Sequence, residues 1–368
     1  MYDFVYIPPN RLGCFTAGDM LKYGMVTIRE IADLAGVSRG TVDRVLNKRG
    51  RVHPDTEKRI QKILNDLDYR LNSHGRALSM QKKKFNIAYI YPKSEINTFF
   101  NDVINGINAK VSELHNNNIN LYIKPVKLND TRLFLQTLNR LQKKNVDGII
   151  ITPSGAPEIT EKINNLVDRG FTVVTCNVDS AKSKRLAFAG CNLYRMGYTA
   201  GGLMGIIAGR KARIGIVSSG IHKKRLKGFI DAITKNHPGM RIADIIEAEE
   251  ATIDTYNRTK AMMKKHPGIQ AIFAETVAVS GICKSLANLG LDGKVKVICF
   301  DDMPQIRNLM REGRVSAIVI QNPFWQGYRS FEMLWDYLLI RKIPEKELNY
   351  SVTEIRIKES LEEIENGN

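Results

Sequence analysis

Residues 27–47 read TIREIADLAGVSRGTVDRVLN, and this stretch predicts two short helices joined by a tight turn. Thr27 and Glu30 have the T-x-x-E spacing of a capping box at the start of the first helix. Gly36 stands where the chain has to turn sharply, and Ser38 is a good N-cap for the second helix. The predicted apolar face of the first helix consists of Ile28, Ile31, Ala32 and Leu34.

The second helix of this motif is predicted to be amphipathic. Its inward side should carry Val42, Val45 and Leu46, and its outward side Arg39, Gly40, Asp43, Arg44 and Asn47. An exposed polar face on the second helix of a helix-turn-helix is what reaches base edges in the major groove. Asp43 could accept a hydrogen bond from cytosine N4, or it could pair with Arg39 four residues earlier.

The module resembles the N-terminal headpiece of the lactose-repressor (LacI/GalR) family of bacterial transcription regulators. The likeness continues through a third helix predicted over 54–67 and the Asp68-Tyr69 pair that follows. Residues 72–78, NSHGRAL, then resemble the hinge helix of that family. In such proteins paired hinge helices enter the minor groove and a leucine wedges between base pairs, and Leu78 matches that leucine.

The DNA contacts implied by this resemblance can be assigned residue by residue. Arg39 and Arg44 are expected to read base edges, each forking onto guanine O6 and N7. Gly40 would permit a close approach of the helix, while Ser38, Thr41 and Asn47 would hold phosphates. The full expected set is Thr27, Ser38, Arg39, Gly40, Thr41, Asp43, Arg44, Asn47, Asn72, Arg76 and Leu78.

The chain departs from the family pattern around the hinge. Leu71 replaces a usual proline and Gly75 replaces a usual alanine, so the hinge helix should be harder to form without DNA. His53 stands where the family has a serine before the third helix, and Asp43 replaces a common serine on the second.

Charge is densest in the headpiece region. Residues 25–84 carry 14 Lys and Arg against 7 Asp and Glu, a net of +7, and residues 85–368 carry 39 against 29, a net of +10. A basic face binds DNA by releasing counterions from phosphates. A basic surface can also serve solubility alone. The charge therefore agrees with DNA binding but does not indicate it without the helix-turn-helix motif.

The remaining chain predicts an α/β body. Strand-like runs lie at 87–91, 121–126, 148–152, 172–176, 214–217, 271–274, 295–300 and 317–320, with helical patterns between most of them. This alternation predicts doubly wound parallel sheets with ligand sites at the carboxyl ends of the strands. The body resembles the type I periplasmic sugar-binding fold, which has two lobes around a cleft joined by three crossovers.

The expected fold class is therefore an all-α helix-turn-helix headpiece followed by two parallel-sheet lobes. The expected domains are a helix-turn-helix domain at 25–70, a hinge helix and linker at 71–84, an effector-binding domain at 85–360 and a tail at 361–368. By the resemblance, lobe 1 spans 85–191 and 324–350, and lobe 2 spans 192–323 and 351–360. Residues 1–24 are expected to be either an extension upstream of a native start at Met25 or a flexible tail that contacts DNA.

The resemblance also implies a set of ligand residues in the cleft, namely Asn97, Phe99, Phe100, Asn177, Arg225, Asp301 and Gln321. Arg225 begins an R-L-x-G-F segment whose arginine points into the cleft in such folds. Phe99 and Phe100 could instead be core residues at a helix start, and Asp301 and Gln321 could cap the hinge. Val178 stands where ribose binders have an arginine, and Glu275-Thr276 replaces a common asparagine and aspartate, so ligand identity cannot be copied.

Other functional classes find little support in the sequence. Cys14, Cys176, Cys191, Cys283 and Cys299 show no metal-ligand spacing, so we expect no metal, no cofactor and a reduced cytoplasm. No run of about 18 apolar residues is present. Catalytic motifs for nucleophile elbows, phosphate loops, dinucleotide binding and zinc proteases are missing, and His115 and His222 are expected to be packed or solvated.

Two hypotheses remain, a ligand-controlled regulator and a solute-binding receptor without a regulatory role. A receptor for transport would need an export signal, which residues 1–24 do not resemble, and would not carry a helix-turn-helix with a hinge helix. We therefore expect a repressor that binds a pseudo-palindromic DNA operator and is controlled by a small molecule, a sugar or sugar derivative, bound between the two lobes. The apolar residues after 359 are only Leu361 and Ile364, too few for a tetramerising coiled coil, so a homodimer is expected.

Overall fold

The computed structural model describes residues 28–46, 52–66, 83–93, 98–114, 118–128, 130–249 and 251–361. The chain divides into two compact units, Met1–Gln81 and Lys82–Asn368. The first contains the headpiece and the second contains the body, and each is described by itself.

The described part of the headpiece is a small cluster of three helices. Its elements are α1 (Ile28–Ala35), α2 (Arg39–Leu46) and α3 (Pro54–Asp66). Gly36 has a left-handed φ of 60°, which allows the tight turn between α1 and α2 that the sequence predicts. The core of the cluster consists of Ile31, Ala32, Ala35, Val42, Val45, Ile60 and Leu64.

One predicted core residue of the headpiece is wrong. Leu34 is 57% exposed, whereas Ile31, Ala32 and Ala35 are buried. At 100° per residue Leu34 lies about 110° around the helix from the middle of that buried face. The apolar face of α1 therefore runs through Ala35 and leaves Leu34 outside.

The body is built on two six-stranded sheets, and we define each lobe by its sheet. Lobe 1 has the strand order β11-β5-β4-β3-β1-β2, and lobe 2 has the order β12-β10-β9-β8-β6-β7. Every pairing is parallel except that of β12 with β10. The strands are β1 (Phe85–Lys93), β2 (Ile119–Lys127), β3 (Gly148–Ile151), β4 (Thr172–Asn177), β5 (Ala187–Gly190), β6 (Arg213–Ser218), β7 (Arg241–Glu247), β8 (Ala271–Glu275), β9 (Lys296–Phe300), β10 (Ala317–Ile320), β11 (Leu348–Tyr350) and β12 (Glu354–Arg356).

Helices cover the two sheets as the alternating pattern predicts. Lobe 1 carries α4 (Phe99–Glu113), α5 (Thr131–Lys143), α6 (Pro157–Asp168) and α12 (Pro323–Ile340). Lobe 2 carries α7 (Leu193–Ile207), α8 (Lys223–Asn236), α9 (Thr252–Lys265), α10 (Val279–Asn288) and α11 (Pro304–Arg311). The predicted class of two doubly wound parallel-sheet lobes is confirmed, and no described helix is long and apolar enough to cross a membrane.

All eight predicted strands are present, with ends that differ by no more than two residues. Four strands were not predicted, namely β5, β7, β11 and β12. The four cysteines at 176, 191, 283 and 299 are free and buried, as expected for small core residues. Burial raises the pKa of the Cys191 thiol to about 12, which makes it a poor nucleophile.

The three chain segments that cross between the lobes are hydrogen-bonded to one another. The amide of Ser351 donates to the carbonyl oxygen of Gly190 at 2.8 Å, and its hydroxyl donates to the carbonyl oxygen of Gln321 at 2.7 Å. The Cys191 thiol donates to Oε1 of Gln321 at 3.1 Å. Gln321 therefore joins the crossovers that follow β5, β10 and β11.

Both lobes contain helices that touch backbone to backbone. A Cβ on Gly106 of α4 would lie 1.9 Å from the Phe324 carbonyl oxygen, and one on Gly327 of α12 would lie 1.9 Å from that of Val103. In lobe 2, a Cβ on Gly197 of α7 would lie 1.9 Å from the Arg225 carbonyl oxygen. Only glycine permits this approach, so these contacts fix how the paired helices sit.

Candidate functional site

The exposed face of α2 carries the residues that were predicted to face outward. Arg39, Gly40 and Arg44 are exposed, and Asp43 is half-buried. Val42 and Val45 are buried on the opposite side. The amphipathic pattern of the predicted recognition helix is therefore present in the folded headpiece.

Ser38 caps this helix as predicted. Its Oγ accepts a hydrogen bond from the Thr41 amide at 3.2 Å and lies 2.9 Å from Thr41 Oγ1. A hydroxyl in this position satisfies one of the free amides of the first turn. The cap holds the start of α2, where Arg39 and Gly40 emerge.

Several predicted site residues lie outside the described part of the chain. They are Thr27, Asn47, Asn72, Arg76 and Leu78 of the DNA set and Asn97 of the ligand set. The predicted hinge helix, with Leu71 and Gly75, also falls outside it, as do His115 and Cys14.

The body has a second candidate site at the carboxyl ends of the lobe 2 strands. β6 ends at Ser218, β8 ends at Glu275, and Asp301 directly follows β9. Because these strands are parallel neighbours, their ends meet at one edge of the sheet. Arg225, from the first turn of α8, is 3% exposed and lies at this edge.

Arg225 and Glu275 form the buried centre of this edge. Nη1 of Arg225 lies 3.8 Å from Oε1 of Glu275, and the guanidinium carbon lies 4.1 Å from the centre of the Phe300 ring. Oε2 of Glu275 accepts hydrogen bonds from the hydroxyls of Ser218 at 2.7 Å and Ser219 at 3.4 Å. A cation over a ring face is attracted to it, so Phe300 helps to hold the guanidinium in place.

Both members of the pair keep a buried atom without a hydrogen bond. Within the described residues, Nε of Arg225 and Oε1 of Glu275 have no hydrogen-bond partner, and neither does Oγ of Ser154 after β3. Such atoms are uncommon in folded proteins because a buried polar group that loses water needs a replacement partner. A ligand could supply those partners here.

Desolvation is the main influence on the pKa values of the carboxyl groups at this edge. Burial raises the pKa of Glu275, and the nearby Arg225 and the Ser218 hydroxyl only partly oppose that effect. Desolvation also raises the pKa of Asp301, against the opposing influence of Arg225 and of a hydrogen bond from Gln321. The guanidinium of Arg225 is thus the cation that interacts with both carboxyl groups.

His222, which precedes α8, also belongs to this edge. Burial and the neighbouring Arg225 charge lower its pKa to about 3, so its imidazole is neutral at physiological pH. This agrees with the expectation of a packed histidine, but its position beside Arg225 was not predicted.

Three of the predicted ligand residues are joined in one hydrogen-bond network. Nε2 of Gln321 donates to Oδ1 of Asp301 at 2.8 Å, and Nδ2 of Asn177 donates to Oε1 of Gln321 at 3.3 Å. Nδ2 of Asn177 also donates to Oε1 of the fully buried Gln326 at 3.1 Å. Asn177 and Asp301 both have a φ of 64°, a left-handed conformation that turns the chain at the strand ends.

These contacts match the alternative in which Asp301 and Gln321 cap the hinge. They are compatible with a ligand role, because a carboxylate and a side-chain amide each have further lone pairs or protons to offer. The network links the hinge and the cleft edge through the same side chains.

Lobe 1 contributes a cluster of aromatic rings next to its strand ends. Tyr91 lies 5.1 Å from Tyr89 and 5.2 Å from Phe100, measured between ring centres, and Phe99 lies 5.3 Å from Phe100. Phe99 is buried, as its core interpretation requires, whereas Phe100 keeps partial exposure. Phe100 is therefore the better candidate for packing against a ligand ring.

The lobes approach each other near α4. Partial desolvation raises the pKa of Asp102 in lobe 1, and the charges of Arg307 and Arg356 in lobe 2 oppose that rise. Asp302 accepts two hydrogen bonds from Arg307, at 2.6 and 2.9 Å, and one from Arg356. In the described ranges no group of three or more His, Cys, Asp or Glu side chains is arranged to hold a metal ion.

Comparison with known proteins finds a family match in each of the two units. Residues 87–342 match the model of the periplasmic binding protein domain, and residues 27–72 match that of bacterial regulatory proteins, lacI family. The chain therefore belongs to the lacI family of bacterial regulatory proteins, with a periplasmic-binding-protein body. It is a DNA-binding transcriptional regulator.

Individual relatives of this lacI-family regulator are distant but cover most of its length. The ribose operon repressor of Halalkalibacterium halodurans is 26% identical over 348 residues, covering 93% of this chain and 98% of that protein. The regulator MalR of Clostridium butyricum is 26% identical over 292 residues, covering 76% and 84%. A glucose-galactose binding protein from Geobacillus stearothermophilus shares the fold, with a TM-score of 0.68 and 24% identity over 76% of this chain and 99% of that one.

The sequence indicated only part of the cleft edge of this lacI-family chain. The sequence marks Glu275 as a departure from the pattern of relatives but does not place it in the ligand set, and it gives no motif for Ser218, Ser219 or Gln326. Ser218 and Glu275 are the last residues of β6 and β8, so the strand-end rule could have found them. Gln326 lies inside a helix and gave no comparable signal.

Proposed function

We propose that this regulator is a cytoplasmic repressor that binds a pseudo-palindromic operator as a homodimer and responds to a sugar or sugar derivative held between its two lobes. The observation that carries the proposal is the buried pair Arg225 and Glu275, whose Nε and Oε1 atoms have no hydrogen-bond partner among the described residues. A body that only supported the headpiece would have little reason to keep such atoms. The proposed role is binding rather than catalysis.

On the DNA side, Arg39 and Arg44 are proposed to read base edges, and Ser38 and Thr41 to hold phosphates. Two headpieces related by a two-fold axis would place their α2 helices in successive major grooves. The hinge and headpiece are proposed to occupy residues 71–84 and 25–70, with the body at 85–360. The names of the relatives, a ribose operon repressor and a transcriptional regulator, support this assignment.

On the ligand side, Arg225, Asp301 and Gln321 are proposed to bind polar groups, and Phe100 to pack against an apolar face. Asn97, Phe99 and Asn177 complete the proposed set. A guanidinium stacked on a ring and a carboxyl held by an amide are rigid donors and acceptors, which favours a ligand rich in hydroxyl groups.

The coupling between the two sites is proposed to pass through Gln321. This residue contacts the proposed ligand residues Asp301 and Asn177 and also joins the three crossovers. A ligand that binds Asp301 would therefore act on the hinge through a hydrogen bond. Such coupling is reciprocal, so operator DNA must change ligand affinity by the same factor.

The test uses the full-length protein in two steps. Selection from random duplex DNA identifies the operator, and a thermal-shift screen of monosaccharides, polyols and sugar phosphates identifies compounds that raise the melting temperature. A compound that shifts the wild type, fails to shift Arg225→Ala and changes operator affinity supports the proposal. If no compound in the screen alters operator binding, the proposed ligand sensing is refuted. If the selection enriches no DNA sequence, the proposed operator binding is refuted.

A further inference from the structure

The carboxyl groups that interact with Arg225 outnumber this one cation. Among the described residues, two carboxyl groups interact with Arg225, those of Glu275 at the end of β8 and of Asp301 after β9. His222, from the start of α8, adds no charge because its imidazole is neutral. One guanidinium therefore faces two carboxyl groups.

The adjoining charges do not restore the balance. Asp302 pairs with Arg307 and Arg356, and Asp102 of lobe 1 interacts with the same two arginines. This second set contains two negative and two positive groups and is balanced by itself. It therefore leaves Glu275 and Asp301 with one carboxyl group more than the single arginine that they share.

Glu275 is also the residue whose hydrogen bonds are incomplete. Its side chain is 1% exposed, its Oε2 is occupied by Ser218 and Ser219, and its Oε1 accepts no hydrogen bond from any described residue. An ionised carboxylate only accepts hydrogen bonds, so Oε1 needs a donor. Nε of Arg225 beside it needs an acceptor.

We propose that the effector carries a protonated amino group next to a hydroxyl, as amino sugars and amino polyols do, and that the amino group binds Glu275 while the hydroxyl accepts from Arg225. An ammonium supplies the donor that Oε1 lacks and a second positive charge beside the two carboxyl groups that share Arg225. A neutral sugar supplies only the donor, and a sugar phosphate adds charge of the wrong sign. This inference rests on the proposed function and specifies its ligand class.

The first test compares matched pairs of compounds on the full-length protein at pH 7. The pairs are D-glucosamine with D-glucose, D-galactosamine with D-galactose, and D-mannosamine with D-mannose, and binding is measured by thermal shift followed by titration. In at least one pair the amino sugar should bind about 10- to 100-fold more tightly than its neutral partner, because a hydrogen bond between charged groups replaces a neutral one. The variant E275Q should bring that ratio close to one.

The control is E312Q, an exposed carboxylate of lobe 2 that pairs with Arg314 away from the cleft edge. It changes the net charge of the protein as E275Q does, and it should leave the ratio unchanged. A ratio that falls equally in both variants would overturn the assignment to Glu275.

The second test needs no ligand. If Glu275 is kept for a cationic effector, E275Q should melt at or above the wild-type temperature, because Asp301 still balances Arg225. A clear fall in melting temperature would mean that Glu275 is a structural partner of Arg225, and it would overturn the inference.

The outcomes separate this inference from the function on which it rests. Binding of neutral sugars without preference for their amino partners leaves the sugar-responsive regulator standing and refutes the amino class. Absence of binding in all three pairs and in the wider sugar screen refutes both.

Discussion

Nη1 of Arg225 lies 3.8 Å from Oε1 of Glu275, close enough for an ion pair but too far for a hydrogen bond. Both side chains are buried, so neither can complete its hydrogen bonds with bulk water. The geometry leaves the separation to be bridged by a third group. It also makes the two partners unequal, because Arg225 is the cation shared by Glu275 and Asp301.

Removal of Arg225 should therefore be far more damaging than neutralisation of Glu275. Arg225→Met should lower the free energy of unfolding of the body by about 3 to 5 kcal/mol, since it leaves two buried carboxyl groups without a cation. Urea unfolding measures the change, and adding Glu275→Gln and Asp301→Asn to the same protein should recover most of the loss. Equal costs for Arg225→Met and Glu275→Gln would contradict the shared-cation arrangement.

His222 should make the body less stable in mild acid. Its pKa is about 3 in the folded protein against 6.5 in the unfolded chain, so only the unfolded chain takes up the proton between those values. Stability from this group is complete above pH 6.5 and is lost as the pH falls toward 3. At pH 5 the loss should reach no more than about 2 kcal/mol, and His222→Gln should remove it. Unfolding curves of the wild type and His222→Gln at pH 8 and pH 5 test this. If the difference in free energy of unfolding between the two proteins is the same at both pH values, the prediction is wrong.

Gly197 should position Arg225 through the contact between α7 and α8. A Cβ at Gly197 would meet the Arg225 carbonyl oxygen, so Gly197→Ala should destabilise the body by about 1 to 3 kcal/mol and weaken effector binding. Gly202 on the same helix has open space, and Gly202→Ala should instead stabilise by about 0.5 to 1 kcal/mol. Thermal melts of the two variants check this, and similar behaviour of both would refute the close contact.

Arg39 should carry sequence preference in DNA binding. Arg39→Ala should cost about 1 to 3 kcal/mol of discrimination between the selected operator and a variant at the contacted base pair. The exposed Arg59 on α3 serves as the control, because Arg59→Ala removes the same charge from another helix. Competition binding at fixed salt measures both, and unchanged preference in Arg39→Ala would exclude base reading by this residue.

Gly40 should be required for tight operator binding but not for the stability of the headpiece. A Cβ at Gly40 would meet only Ser38 Oγ, at 3.7 Å, which is an ordinary contact. Gly40→Ala should therefore raise headpiece stability by about 0.5 to 1 kcal/mol and still weaken operator binding, because the methyl group would intrude on the bases. A variant that is more stable and binds as well as the wild type would show that α2 does not approach so closely.

The parallel sheets were predictable because their central strands are almost wholly apolar. β3, GIII, and β10, AIVI, are buried along their full length, and such runs stand out against polar helices. The strands that escaped prediction lie toward sheet edges or are short. β7, RIADIIE, has a charged residue at every third position and lies at a sheet edge, and β11 and β12 have only three residues each.

A site residue was predictable where it belongs to a recognisable motif, as Arg225 does in its R-L-x-G-F segment. A site residue was not predictable where its role depends on contacts with residues far away in the sequence. Glu275 becomes an incompletely bonded carboxylate only because Ser218 and Ser219 occupy one of its oxygens and Arg225 stops short of the other. That relation depends on side-chain distances across three elements, which no periodicity encodes.

Gln321 and the glycine contacts bear on how the two lobes of the body can move relative to each other. The helix pairs that touch at Gly106 and Gly197 make each lobe resist bending, while the three crossovers meet within hydrogen-bond distance of one glutamine. If a ligand closes the lobes as proposed, each lobe would rotate as a rigid unit about the crossovers at Gln321. The carboxyl of Asp301, which is hydrogen-bonded to Gln321, would then move little, whereas the ends of the lobes far from the crossovers would move much further. A small change in the cleft would thus produce a larger displacement at the distal ends of the lobes.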